Sequence, residues 1–235
     1  MKIVLLGLCA LIIPGTALAG GMNDDPLLTK VMINQLEIRS AEGSNPLAWD
    51  AEGWIGKDLN KLWLKTEGEY VSGKVSDMES QALYSRAVAP FWDMQVGWRH
   101  DKLENPAPHR DWLTLGVRGL APYSFDVDGA VFIGDNGRLA ARLKVEYDIL
   151  FTQRLILVPE IKINVYSRDD PATATGSGLA NIETGLRLRY EIRREFAPYI
   201  GLNWNRLYGK SADYAREEGG DVDNVRLLVG LRTWF

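Results

Sequence analysis

Long runs of alternating apolar and charged residues constrain most strongly how this chain can fold. From Leu139 to Phe151 every odd position is apolar, whereas the even positions from 138 to 148 read Arg, Ala, Arg, Lys, Glu and Asp. Because successive side chains of a strand point to opposite faces, such a run has one apolar face and one ionic face. The same split recurs in residues 61–70, 123–133 and 181–193.

The length of these runs distinguishes between two kinds of β protein. Strands of a soluble sandwich have typically about five or six residues, and their polar face meets water. The runs here are about twice as long, which suits a tilted strand that crosses a bilayer, and Trp and Tyr lie toward their ends. We therefore predict an all-β fold, a transmembrane antiparallel up-and-down β-barrel with its ionic face turned into the lumen.

Twelve strands account for the chain, and the connections between them alternate in length. Tight turns follow the second, fourth, sixth, eighth and tenth strands, and the other connections include the long segments 102–109, 168–178 and 209–222. This asymmetry is typical of bacterial outer-membrane barrels, whose short turns face the periplasm. We predict strands near 31–39, 48–57, 61–72, 77–88, 91–101, 110–120, 122–133, 138–151, 153–167, 179–193, 196–208 and 223–235.

Ten strands remain an alternative, because the first predicted strand does not alternate cleanly. Glu37 and Arg39 have the same parity as the apolar Val31 and Ile33. A single register cannot place all four side chains on their preferred faces.

The N-terminus predicts export. Lys2 precedes an apolar run from Ile3 to Ile13, and the small-residue site Ala17-Leu18-Ala19 follows. This is the layout of a secretory signal peptide, and the run is too short to span a bilayer. We expect a signal peptide at 1–19, a short periplasmic segment at 20–30 and a barrel at 31–235. The single cysteine, Cys9, would leave with the signal peptide, so we expect no disulfide and no thiolate metal site.

The charge distribution argues against a nucleic-acid partner. The chain has 27 basic and 31 acidic residues, and the charges alternate in sign without a basic block. Nucleic-acid binding usually needs a basic patch or stripe.

The C-terminus fits an outer-membrane barrel. The chain ends on Trp234-Phe235, and every second residue back from Phe235 to Val225 is apolar or Thr. We expect a lipid-facing last strand that ends in an aromatic residue.

Several stretches of the sequence resemble the copper resistance protein B family (CopB/PcoB). The resemblance covers roughly residues 30–235, and it is carried by segments 49–56, 58–65, 83–88, 90–93, 119–123, 146–148, 152–157, 186–199 and 212–216. Among them are Trp49-Asp50-Ala51, Pro90-Phe91-Trp92-Asp93 and Glu195-Phe196-Ala197-Pro198-Tyr199.

The resemblance implies a protein of the bacterial outer membrane, in contact with its lipid, that acts in copper tolerance. It also implies copper as a ligand or transported ion, no organic cofactor, no enzymatic activity, and a periplasmic copper-handling protein as partner. Many members carry a long N-terminal segment rich in Met and His. Here Gly20 to Lys30 precedes the barrel, with Met22 as its single candidate ligand, which argues against stoichiometric copper storage.

Few residues of the expected mature chain are soft copper ligands. Thioether and imidazole suit copper, and Cu(II) also accepts carboxylate. His100 and His109 flank the loop 102–109 and can approach each other across that hairpin, whereas parity points Met94 toward lipid. The candidate metal ligands are His100, His109, Met94 and Met22.

The lumen is the second candidate site. Its charges either neutralise one another in an ionic plug or provide a polar path for cations. The predicted lumen-lining residues are Glu67, Glu69, Asp93, Arg142, Glu146, Asp148, Glu160, Glu183, Arg187, Arg189 and Glu191.

Three functions compete. The first is a copper-tolerance barrel that binds copper or mediates its passage across the outer membrane. The second is a passive small-solute pore or a structural barrel. The third is an outer-membrane lipid hydrolase built on His100, which would need a serine nearby; the sequence places no serine clearly opposite His100.

Overall fold

The computed structural model describes residues 25–41, 43–103 and 108–235. The predicted signal peptide, its cleavage after Ala19 and the candidate ligand Met22 lie outside these residues. All helices in the described part of the chain are too short or too polar to cross a membrane.

The fold consists of twelve long strands, one of which is interrupted. β8 has two segments, Leu139–Glu146 and Ile149–Leu150, that pair with the same neighbour. The other strands are β1 Leu28–Arg39, β2 Leu47–Gly56, β3 Asn60–Val71, β4 Lys74–Ala89, β5 Trp92–Leu103, β6 Arg110–Ala121, β7 Phe125–Gly134, β9 Leu155–Tyr166, β10 Gly178–Tyr190, β11 Phe196–Leu207 and β12 Asp223–Trp234. The helical elements are the single turns Pro122–Ser124, Asp135–Gly137 and Pro171–Thr173 and one α-helix, α1, Gly209–Glu217.

The strands form one closed antiparallel barrel. Each strand pairs with the next, and β12 pairs with β1, where Met32 faces Trp234 and Ile38 faces Val229. Closure leaves the sheet without an open edge, which satisfies the backbone within the membrane. The predicted up-and-down barrel of twelve strands is confirmed, and the ten-strand alternative is wrong.

The alternation of side chains is confirmed around the ring. Leu64, Leu227 and Val229 point outward and are 61%, 65% and 64% exposed. Their sequence neighbours Lys65 and Arg226 point into the lumen, where they make ion pairs. The outer wall is therefore apolar, and the inner wall is ionic.

A β-bulge explains the irregular parity of β1. Ile33 pairs with Ala51 and Gln35 with Asp50, so Asn34 is an extra residue in the ladder. An extra residue shifts the alternation by one position. Beyond it Ile38 faces outward, whereas Glu37 is fully buried inside.

The two ends of the barrel differ, as predicted. At the short-turn end the strands are joined by residues 57–59, 90–91, 122–124, 151–154 and 191–195, and both chain ends of the barrel lie there. At the long-loop end the connections include 104–109, 167–177 and 208–222. The last of these contains α1, which the sequence analysis did not predict. Its Ser211 Oγ accepts a hydrogen bond from the Gly176 N–H at 2.8 Å and so joins the two longest loops.

Aromatic residues mark the two rims. At the long-loop end, Trp98 and Trp204 donate their indole N–H to Asp111 and Asp223 at 3.1 and 2.6 Å. At the short-turn end, Tyr123 and Phe235 are highly exposed. The rings of Trp and Tyr, which have one polar edge, suit the interface between lipid and water.

The seam between β12 and β1 is bridged by a tyrosine that lies over a glycine. Tyr199 of β11 pairs with Gly230 of β12, which in turn pairs with Glu37 of β1. Because Gly230 has no side chain, the Tyr199 hydroxyl reaches across the strand and donates to Glu37 Oε2 at 2.9 Å. The same pairing of an aromatic residue with a glycine recurs at Trp49 and Gly68, Trp92 and Gly119, and Trp112 and Gly134.

Replacing Gly230 with alanine should weaken the barrel. A Cβ there would lie 2.5 Å from Tyr199 Cζ, so the ring must move away from Glu37. Loss of a hydrogen bond to a charged group costs about 1.5–3 kcal/mol. We expect the Gly230→Ala and Tyr199→Phe variants to lose a similar unfolding free energy, measured by urea titration in lipid vesicles.

The matched control is Gly129→Ala, also within a strand. A Cβ at Gly129 would meet Val117 only at an ordinary contact of 3.7 Å. Equal stability of the Gly230→Ala and Gly129→Ala variants would contradict the proposed role of the seam.

Candidate functional site

A belt of six charged residues crosses the lumen at mid-height. We call it the ionic belt: Asp50, Glu67, Glu79, Arg142, Lys144 and Lys162. These residues alone line both cavities of the lumen in the described chain, one above them and one below. The belt therefore separates the two ends of the barrel.

Short ion pairs hold the ionic belt together. The Arg142 guanidinium donates to Glu67 Oε1 at 2.9 Å and to both oxygens of Glu79 at 2.8 and 2.7 Å. Lys162 Nζ lies 2.8 and 2.7 Å from the two oxygens of Glu67. Lys144 Nζ lies 3.0 Å from Asp50 Oδ2. All six charges of the belt thus have a partner of opposite sign within it.

Within the ionic belt, charge compensation runs across the lumen, between strands that are not neighbours; Glu79 also pairs with Arg99 of the adjacent strand β5 at 2.8 Å. Directly paired residues have like charge, as in Glu67 with Glu79 on β3 and β4, and Lys144 with Lys162 on β8 and β9. Like charges directly opposite each other are unfavourable in a sheet. The acids of β2–β4 therefore need the bases of β8 and β9 on the far wall, and closure of the barrel brings these two walls together.

The cavity on the long-loop side of the belt is the long-loop chamber, of about 420 Å³. Its wall carries charges of both signs and a group of amide side chains, Asn164, Asn181, Asn203 and Asn205. Asn164 donates to Asn181 at 3.0 Å, and Asn181 donates to Asn205 at 3.2 Å. The chamber is thus lined by a connected polar surface.

Loop 167–177 folds over this chamber. Arg110 donates to Asp170 at 2.9 and 3.1 Å, and Arg138 donates to the same carboxylate at 2.6 Å. Thr173 and Thr175 of the loop line the chamber. Beside them the Ser177 backbone N–H donates to Asp169 at 2.6 Å, which holds the pKa of Asp169 below its usual value. The loop is therefore anchored to the barrel wall.

The cavity on the other side of the belt is the short-turn chamber, of about 320 Å³. Its wall combines ion pairs with aromatic rings. Arg118 donates to Glu52 at 2.5 and 3.0 Å, and its guanidinium lies 4.8 Å from the centre of the Trp63 ring. Lys65 pairs with Asp128 at 2.7 Å.

The remaining predicted lumen residues face inward and form ion pairs. At the long-loop side Glu69 pairs with Arg226 at 3.0 Å, and Glu183 pairs with Arg39 at 3.3 Å. Below the belt Glu146 lies 2.9 Å from Lys144, and near the short turns Asp93 lies 3.5 Å from Lys61. Two arginine clusters hold the others: Arg187 with Glu37 and Glu160, and Arg189 with Asp148 and Glu191.

Sequence analysis did not single out several important lumen residues. Glu37 receives hydrogen bonds from Arg39, Arg187 and Tyr199, but its inward position depends on the bulge at Asn34. Asp50 and Glu52 alternate with apolar neighbours in β2, and this pattern was a signal that could have identified them.

The structure brings His100 and His109 together at the long-loop rim. Their rings stack with centroids 5.4 Å apart, and His100 also lies 5.5 Å from Trp98. His100 Nδ1 lies 2.8 Å from Asp111 Oδ1. We call His100, His109 and Asp111 the rim cluster. It faces outward, away from the lumen.

Met94 lies apart from the rim cluster. It points outward, 58% exposed, near the short-turn end of β5. Met94 and His100 are six positions apart along the strand, a distance of about 20 Å. The two cannot share one metal ion. Within the described residues, no group of three or more His, Cys, Asp or Glu is arranged to hold a metal ion.

A serine does lie opposite His100, contrary to expectation. The β4–β5 register pairs Ser80 with His100, and Asp111 is the partner of His100 on β6. The sequence alone could not reveal this because the register depends on turn geometry. No hydrogen bond joins Ser80 to His100 among the contacts of the described chain.

Comparison with known proteins gives consistent matches. The family model described as copper resistance protein B precursor (CopB) matches residues 27–235. "Copper resistance protein B homolog" of Pseudomonas syringae pv. tomato is 46% identical, and "Copper resistance protein B" of Escherichia coli is 45% identical. Each match covers 91% of this chain and 72% of the relative.

Solved structures with a similar fold are outer-membrane barrels. The KdgM porin matches with a TM-score of 0.54 and the NanC porin with 0.57. Each is 12% identical in sequence, and each match covers 88% of this chain and 99% of the porin. At this identity the likeness concerns the fold alone.

Glu67 and Lys162 should be strongly coupled in stability. Substitution of either residue removes a close partner of the other, and breaking one side of a buried pair leaves an uncompensated charge. We expect Glu67→Gln and Lys162→Met each to destabilise the barrel, and the double variant to lose less than the sum. A coupling of about 0.5–3 kcal/mol is typical of contacting residues. Urea unfolding in lipid vesicles measures all four proteins, and additive losses would contradict the cross-lumen pairing.

Proposed function

The chain belongs to the copper resistance protein B family, and from this premise we propose that it passes copper ions across the outer membrane and binds them at its rim. Family and fold place it in the bacterial outer membrane, in copper tolerance. There the long-loop end faces the outside and the short-turn end faces the periplasm. They also fit a barrel that is not an enzyme.

The arrangement of the two chambers is the observation that supports the passage of copper. Both are polar, and both end at the same ionic belt. A cation that enters from either end therefore meets one layer of charge, in which carboxylates face ammonium and guanidinium groups. Acidic groups in a pore attract cations, and weak, multiple sites allow them to leave again.

Exchange at the belt provides a physical route for the ion. Cu(II) accepts carboxylate oxygens, and Glu67 presents both of its oxygens to Lys162. A divalent ion can replace the ammonium group, whose flexible side chain then swings away. In this scheme Lys144 and Lys162 close the path, and Asp50 and Glu67 receive the ion.

The rim cluster supports a copper-binding step outside the lumen. Imidazoles are ligands that Cu(II) prefers, and the rim cluster holds two of them. The hydrogen bond from His100 Nδ1 to Asp111 orients the ring and leaves Nε2 available, as carboxylates bonded to metal-ligating histidines do. Rotation of the stacked rings would bring both Nε2 atoms to one ion. We also propose that the signal peptide at 1–19 directs export and that a periplasmic copper-handling protein is the partner of the barrel.

Lipid hydrolysis is the weaker candidate for the same residues. Ser80, His100 and Asp111 lie on three adjacent strands in the order of a triad. However, a triad requires a contact between nucleophile and base, and His100 stacks on His109 instead. A metal-binding role uses both histidines, and hydrolysis uses one.

Copper should enter vesicles through the lumen. We expect vesicles that contain the barrel and a trapped copper-sensitive dye to admit copper faster than empty vesicles. The Lys162→Ala variant should admit it faster still, because one closing cation is gone. The matched control is Lys57→Ala, since Lys57 lies at a short turn and pairs with Asp25. Equal copper entry into barrel-containing and empty vesicles would contradict copper passage. Ion conductance that is unaffected by copper would favour the passive pore.

Copper should bind to the rim cluster through nitrogen. We expect electron paramagnetic resonance of Cu(II) added to the purified barrel to show imidazole coupling that is lost in His100→Ala and His109→Ala. Asp111→Asn should weaken the affinity about 10–100-fold, as loss of an orienting partner does. Met94→Leu is the control that should change nothing, and an effect equal to that of the histidine variants would contradict this site.

A further inference from the structure

Three residues that line the short-turn chamber each have a buried side-chain atom without a hydrogen-bond partner in the described chain. These atoms are Trp63 Nε1, Gln95 Nε2 and Thr114 Oγ1. The exposed fractions of the three residues are 7%, 4% and 1%. An indole N–H and an amide NH₂ can only donate, and a hydroxyl can donate. Buried donors that stay unpaired are costly, so their presence together needs a reason.

The three donor residues line the same short-turn chamber. Thr114 pairs with Gly97, which pairs with Leu83, and Leu83 pairs with Trp63. In the next row Gln95 pairs with Gly116. Because Gly97 and Gly116 are glycines, they place no side chain between Gln95 and Thr114. We call the part of the chamber that Trp63, Gln95 and Thr114 line the donor notch.

Neighbouring residues orient the donors and add positive charge. Lys65 Nζ donates to Gln95 Oε1 at 3.2 Å, which leaves the Nε2 end of the amide as the free one. Lys65 and Arg118 lie 5.9 and 4.8 Å from the centre of the Trp63 ring. N–H groups and cations repel a metal ion, so copper cannot be the ligand of the notch. The matching chemistry is an anion with several acceptor lone pairs.

We propose that the donor notch binds the carboxylate group of a small organic acid, which accepts hydrogen bonds from Trp63 Nε1, Gln95 Nε2 and Thr114 Oγ1. Two oxygens with four lone-pair positions match three donors. Lys65 and Arg118 already have the carboxylates of Asp128 and Glu52 as partners. The local charge therefore suits a singly charged group better than a phosphate. This site is independent of copper passage, because a cation cannot use it.

Calorimetric titration of the refolded barrel in detergent micelles with sodium acetate, which carries one carboxylate and a single charge, tests the proposal. We expect saturable binding that becomes at least about tenfold weaker (one lost hydrogen bond to a charged group) in Thr114→Val and in Gln95→Met. Thr184→Val is the matched control, because Thr184 is on the outward face of β10, and it should bind as the wild type does. Thr114→Val removes an unpartnered hydroxyl, so its thermal stability without acetate should not fall.

Several results would overturn the proposal. They are no saturable binding by the wild type, unchanged affinity in a folded Thr114→Val, equal binding of the neutral analogue acetamide, or tighter binding of inorganic phosphate. The acetate titration contains no copper and the vesicle assay of copper entry contains no organic acid, so failure of one proposal can be distinguished from failure of the other.

Discussion

Compensation of charge inside a closed lumen is the constraint on which the rest of this structure depends. Each strand turns ionic side chains inward, and a charge held away from bulk water is tolerated only when it is paired. In the ionic belt, residues that pair directly across neighbouring strands have like charge, because Glu67 faces Glu79 and Lys144 faces Lys162. The opposite wall supplies the charges of opposite sign. The ionic belt thus links the correct closure of the barrel to the pairing of its charges.

Local adaptations allow the ring to close around this belt. The bulge at Asn34 turns Glu37 inward, and Gly230 leaves space for Tyr199 to reach that carboxylate across the seam. Aromatic residues lie over glycines at three further strand pairs, so large rings fill the wall where the backbone offers room. The bulge interrupts the regular alternation, whereas the aromatic–glycine pairs leave it unchanged; both features provide contacts that fix the register.

The chemistry of the protein is divided among separate places. Imidazole ligands are confined to the rim cluster, carboxylates and amines meet in the ionic belt, and unpaired donors gather in the donor notch. A copper ion and an organic anion would consequently use different surfaces of one barrel. Loop 167–177, anchored by Asp170 to Arg110 and Arg138, contributes to the wall of the long-loop chamber.

The sequence by itself determined the class of fold, the number of strands, the asymmetry of the two ends and the inward or outward direction of most side chains. Period-two alternation and turn length are local properties, so they can be read along the chain. Family membership was also recognisable from continuous segments. Only the tertiary structure decided which charge meets which, that Ser80 lies opposite His100, and that Trp63, Gln95 and Thr114 line one notch. Those relations depend on register and on closure across the lumen, which join residues far apart in the chain.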